Sequence, residues 1–137
     1  ILKKNLSLVA TAGSFAFICH LRLVDKAIKQ SNKVADKIRA KDLAENKGDL
    51  VLIDVREADE VAEDGTIEGA VNIPLGQLIR KGRQGGLDDL KGKTICTYCN
   101  GGYRGNIGAD ELNKKGFTAV TIDGGYEAWK KEKKNAR

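Results

Sequence analysis

The residues with most chemistry to offer lie together. Ile95-Cys96-Thr97-Tyr98-Cys99-Asn100-Gly101-Gly102-Tyr103-Arg104-Gly105 places a thiol, a glycine-rich turn and a guanidinium in one short stretch. The pattern predicts a strand over Thr94 to Tyr98, a sharp loop, and a helix from about Arg104 or Gly105. A thiol at that junction faces loop amides and a helix N-terminus. Both favour an anion, so both favour the nucleophilic thiolate. Gly101 and Gly102 let consecutive amides turn inward as an anion nest. Arg104 adds a planar cationic fork for an oxyanion. Nucleophile, amide donors and guanidinium thus converge on nucleophilic chemistry at Cys99. The plainer alternative is a core cysteine followed by a structural turn.

The flanking pattern supplies elements to hold that loop. Leu50-Val51-Leu52-Ile53 is a continuous apolar run, as in strands buried on both faces. Ala70 to Ile73 and Ala119 to Ile122 read as further strands, and Ile38 to Ala40 as a short edge strand. Helices are expected over 41–46, 57–63, 75–79, about 104–115 and 126–134, with a turn-rich loop from Gly82 to Gly86. Alternating strands and helices predict an α/β fold with a central parallel sheet flanked by helices. In such sheets ligands bind at the carboxyl ends of strands, where Cys99 falls.

Four stretches now resemble one known family. Cys99 to Arg104 is similar to the active-site loop of rhodanese-like sulfurtransferase domains. Asp54-Val55-Arg56-Glu57-Ala58-Asp59-Glu60 resembles the family's Asp-x-Arg-x-x-x-Glu. Gly65-Thr66-Ile67-Glu68-Gly69-Ala70-Val71-Asn72-Ile73-Pro74 resembles its Gly-His-Ile-x-Gly-Ala-x-Asn-Ile-Pro, and Gly124-Gly125-Tyr126-Glu127-Ala128-Trp129 its closing Gly-Gly-x-x-Ala-Trp. Together they span about residues 36–134. Residues 1–35 lie outside the resemblance, as an extra N-terminal helical segment.

The resemblance implies a single-domain thiosulfate sulfurtransferase. Cys99 would take a sulfane sulfur from a small anionic donor, thiosulfate or a persulfide. It would pass the sulfur from a Cys99 persulfide to cyanide, a thiol or a protein acceptor. Asn100, Gly101, Gly102, Tyr103, Arg104 and Gly105 would bind substrate, with Asn100 and Tyr103 at the rim. Asp54 and Arg56 would brace the loop. No metal or organic cofactor is implied. Trp129 reads as core packing. Gly105 stands where the family often carries Ser or Thr, so a helix-capping hydroxyl is missing. Thr66 replaces a frequent His.

Rival readings remain. Cys96-x-x-Cys99 is also a redox spacing, but strand alternation puts the two thiols on opposite faces. A related phosphatase loop needs five residues between Cys and Arg, whereas this one has four. A non-enzymatic module that docks a partner, or relays a persulfide, is the remaining alternative.

The chain has 137 residues and a globular composition, which fits one domain without a disulfide scaffold. One histidine and three cysteines do not supply zinc-finger spacings. Charge is uneven: residues 1–47 hold ten basic and four acidic side chains, residues 48–98 six and ten, and residues 99–137 eight and five. The basic runs lack interleaved aromatics, which argues against single-stranded nucleic acid as partner. Lys3-Lys4 precede an apolar stretch from 6 to 23, and an amphipathic helix follows over about 21 to 36. That segment reads as a packed helix, a membrane anchor or a secretory signal. The corresponding compartments are cytoplasm, cytoplasm with membrane attachment through residues 6–23, or export.

Overall fold

The computed structural model describes residues 35–136. The apolar stretch 6–23, and all but the last two residues of the expected helix over 21–36, lie outside them. No helix among the described residues is long and apolar enough to cross a membrane.

Five strands form one sheet: β1 (Lys37–Ile38), β2 (Val51–Asp54), β3 (Val71–Asn72), β4 (Thr94–Tyr98) and β5 (Thr118–Ile122). Their spatial order is β1-β5-β4-β2-β3, and every pairing is parallel. The expected α/β fold is therefore present. β4 lies at the centre, with Asp54 of β2 in register with Tyr98 and Thr121 of β5 in register with Thr97. The carboxyl ends of β2, β4 and β5 consequently open at one edge, and the candidate loop leaves from the middle one.

Helices cover both faces: α1 (Ala40–Asn46), α2 (Ala58–Asp64), α3 (Leu75–Arg83), α4 (Tyr103–Lys114) and α5 (Gly125–Asn135). Strand alternation divides the core in two. Ile53, Ile95 and Ala119 meet Leu78 of α3 and Ala109 and Leu112 of α4 on one face. Leu52, Cys96, Tyr98 and Ile122 meet Leu43 of α1 and Tyr126 and Trp129 of α5 on the other. Trp129 is core packing, as its type and position suggest.

Two local expectations change. The helix expected over 75–79 continues to Arg83, so Gly82 lies inside it rather than in a loop. Gly82 faces Leu112 of α4 across open van der Waals space, and the chain turns only where Gly86 N–H bonds to Lys81 O. A short 3-10 turn, Asp88–Leu90, follows the buried Leu87 and leads into β4.

Gly105 explains how closely α4 lies on the sheet. A Cβ there would stand 2.8 Å from both Tyr98 Cα and Thr121 Oγ1. The Thr97 hydroxyl donates to Gly105 O at 2.6 Å, and the Thr121 hydroxyl donates to Thr97 O at 2.9 Å. Thr121 thus fills the space that a hydroxyl-bearing residue 105 would need. Gly105→Ser should overpack this contact and cost about 1–3 kcal/mol in chemical denaturation. A Gly105→Ser protein as stable as wild type would refute that tight fit.

Candidate active site

The thiol of Cys99 sits one residue beyond β4 and is 2 % exposed. Gly102 N–H donates to its sulfur at 3.2 Å. That bond requires the chain to double back within three residues. Gly102 makes the turn with φ +110°, a left-handed conformation costly for any side chain. α4 starts at the next residue, so its positive end faces the same loop.

The loop is held from behind by α5. Tyr126 N–H donates to Cys99 O at 2.8 Å, and Glu127 N–H donates to Asn100 O at 3.1 Å. The first amides of a helix have no partner inside it, and here they fix both loop carbonyls. Such close approach demands Gly125. A Cβ at that position would lie 2.5 Å from Asn100 O and 2.6 Å from Cys99 O, and its φ is +62°. The glycine pair of the closing motif thus serves the loop as well as the helix.

From the β2 side the loop is held by Arg56, which is 0 % exposed, as is Asp54. Arg56 Nε donates to Asp54 Oδ1 at 3.0 Å and Nη2 to Asp54 Oδ2 at 2.7 Å. Nη2 also reaches Gly65 O at 2.7 Å, and Nη1 reaches Asn100 Oδ1 at 3.0 Å. The guanidinium lies over the Tyr126 ring, 4.6 Å from its centroid. Asp54 also accepts from the Thr66 hydroxyl at 3.0 Å. Thr66 in turn lies 2.6 Å from Tyr98 Oη, which accepts from Ile67 N–H at 3.1 Å. Since Thr66 donates to the carboxylate, the phenol donates to Thr66. Burial pushes the Tyr98 phenol up to about 12, so it keeps that proton at neutral pH. Removing one partner of a buried ion pair typically costs ~3–5 kcal/mol, because the other charge is stranded.

Arg104 does not stand alone at the end of the loop. Its Nη1 and Nη2 form a bidentate pair with Glu60 of α2, at 2.6 and 2.7 Å. Glu60 Oε2 also accepts Glu57 N–H at 2.9 Å, which ties the carboxylate to the start of its own helix. Arg104 and that backbone bond hold the Glu60 carboxyl down at about 2, and Glu60 raises the Arg104 value in turn. The Cys99 thiol is a second partner of the same guanidinium and raises the Arg104 value further.

Cys99, Asn100, Gly101 and Gly102 form the loop, Tyr103, Arg104 and Gly105 open α4 with Gly105 packed on the sheet, and Asp54 and Arg56 lie behind the loop. Their individual placements differ. The Asn100 side chain turns inward to Arg56 and does not line a rim. Tyr103 is 79 % exposed and stands at the edge of a cleft of about 310 Å³, with Lys37, Asn106 and Asp123. Cys96 points to the other face of the sheet and is fully buried, and burial pushes its thiol up to about 12. Both cysteines are free. Glu60, Thr66, Tyr98, Gly125 and Tyr126 also belong to the site. Glu60 closes the Asp-x-Arg-x-x-x-Glu pattern, and that motif was the one signal for it. No group of three or more His, Cys, Asp or Glu among the described residues could hold a metal ion.

The rhodanese-like domain model matches residues 38–132. A putative sulfurtransferase of Bacillus subtilis is 39% identical over 95 residues, which is 69% of this chain and 86% of that protein. A tRNA uridine(34) hydroxylase of Corynebacterium jeikeium is 39% identical over 61% of this chain, but the match spans only 28% of that longer protein. Among solved structures, a human single-domain sulfurtransferase superposes with a TM-score of 0.62 at 26% identity, covering 72% of this chain and 97% of the other.

Two outcomes follow from the geometry. Gly125→Ala should displace the loop carbonyls, and loop amide exchange should rise at residues 99–102 while the sheet stays protected. Uniform protection across both would refute the role given to Gly125. The second concerns acid. Glu60 is shifted from 4.5 to about 2, so its pairing stabilises the fold fully above pH 4.5 and is lost as pH falls toward 2. Glu60→Gln should flatten the stability profile over that window, and an unchanged acid limb would refute the pairing in solution.

Proposed function

The chain belongs to the rhodanese-like domain family, and on that premise we propose that it is a sulfurtransferase acting through a Cys99 persulfide. The observation that carries this reading is the Gly102 amide aimed at the Cys99 sulfur, with Arg104 closing the same loop.

The Cys99 thiolate attacks the sulfane sulfur of the donor. A new S–S bond forms, and the old bond breaks with its electron pair on the leaving group. From thiosulfate that group is sulfite; from an organic persulfide it is a thiolate, which takes up the persulfide proton. Gly102 N–H and the positive end of α4 stabilise the negative charge on Cys99 before attack and on the persulfide afterwards. Asn100, held by Arg56, and the two carbonyls held by α5 fix the loop, so little reorganisation accompanies transfer. An acceptor thiolate or cyanide then attacks the outer sulfur and restores the Cys99 thiolate. Tyr103, exposed at the rim, is placed to meet that acceptor. The reaction needs neither metal nor organic cofactor.

The bacterial sulfurtransferase match covers most of both chains and supports the same reading. Hydroxylation is not carried over, because that match spans about a quarter of the relative.

Intact mass after incubation with thiosulfate, or with a low-molecular-weight persulfide, tests the reading. Wild type and Cys96→Ala should each gain one sulfur atom, and Cys99→Ala none. Absence of the gain in wild type with both donors, or its persistence in Cys99→Ala, would overturn the assignment.

A further inference from the structure

Charge at the loop is balanced in a way that bears on the donor. Two guanidinium groups reach the loop, and each already has a carboxylate. Arg104 is paired in both N–H arms with Glu60. Arg56 is paired with Asp54, and Asp64 stands 3.7 Å from its Nη1. Neither carboxylate partner is a mobile surface group that could swing away at little cost. Asp54 is fully buried. Glu60 is half-buried and tied to its own helix through Glu57 N–H. Among the described residues, what is left to face the sulfur is the amide of Gly102 and the end of α4, about half an elementary charge, while Lys37 lies in the cleft at Tyr103 with Asp123. The Cys99 thiolate itself draws on that helix-end charge.

We infer that Glu60 sets donor selectivity by cancelling the Arg104 charge, so that the site favours sulfane donors of low charge over the thiosulfate dianion. The inference rests on the sulfurtransferase reading. An organic persulfide reacts as a neutral R–S–S–H group: the Cys99 thiolate bonds to its outer sulfur, R–S⁻ leaves, and charge is conserved at one negative. Thiosulfate brings two negative charges to the same thiolate, where both guanidinium groups already have carboxylate partners. Removing one negative charge about 8 Å from a dianion, across the Arg104 fork, should favour the dianion by about fivefold in water.

The test is single-turnover loading of Cys99, followed by intact mass at low ionic strength. Thiosulfate is compared with the persulfide of 2-mercaptoethanol, in wild type, Glu60→Gln and Glu60→Asp. Glu60→Gln keeps an acceptor for Glu57 N–H and loses the charge; Glu60→Asp keeps the charge and shortens the arm. The expected result is that the ratio of thiosulfate to persulfide loading rises about fivefold in Glu60→Gln. In Glu60→Asp it stays at the wild-type value, even where both rates fall. Equal change of both donors in Glu60→Gln would show a merely structural role and overturn the inference while leaving the sulfurtransferase reading intact. The same rise in Glu60→Asp would overturn it too. Wild type loaded by neither donor would overturn the sulfurtransferase reading itself, and this inference with it.

Discussion

The buried Arg56–Asp54 pair is the interaction on which the rest of the site depends. A guanidinium without water contact must find partners for its donors inside the protein. Here those partners are Asp54 at the end of β2, the Gly65 carbonyl after α2, and the Asn100 side chain in the loop. Three segments distant in sequence are thereby tied to one planar group. The planar fork also rests on the Tyr126 ring, which brings α5 into the same assembly. A lysine could match the charge but not this fan of directed donors.

The loop is gripped from three sides, and each grip uses a different kind of group. A charged side chain holds Asn100, helix-end amides hold the carbonyls of Cys99 and Asn100, and a bidentate ion pair holds Arg104. With its carbonyls engaged on the α5 side, the loop presents an amide to the sulfur. Placement at the carboxyl edge of a parallel sheet makes this possible, because β2, β4 and β5 deliver their following residues to the same edge.

Much of this was legible in the sequence. A continuous apolar run marked β2, β-branched stretches bounded by turns marked β4 and β5, and parallel pairing follows from the helices between them. Alternation alone placed Cys96 and Cys99 on opposite faces. The four motifs located the loop and the residues behind it. Pairings between motifs were not legible. Glu60 and Arg104 are 44 residues apart, and only the fold shows that α2 brings them into contact. The same holds for Tyr98 and Thr66, whose hydroxyls meet across 32 residues of chain. Gly105 read as a missing hydroxyl; the structure shows a helix seated too close to the sheet for any side chain, with the Thr121 hydroxyl in the space. Gly82 disfavours helix by its own propensity, yet it lies in the last turn of α3, where a single glycine is tolerated.

The clasp between α5 and the loop has a consequence for biosynthesis. Cys99 is translated 27 residues before Tyr126 and 28 before Glu127, whose amides secure its loop. While the chain grows from the ribosome, the thiol-bearing segment is present but its carbonyls have no helix to bind. A nascent chain cut off before Gly124 would contain all five strands and the Arg56 and Glu60 holds on the loop, but not the amides that bind the Cys99 and Asn100 carbonyls. The site therefore matures late, and the order of synthesis delays a reactive cysteine until the domain that shelters it is nearly whole.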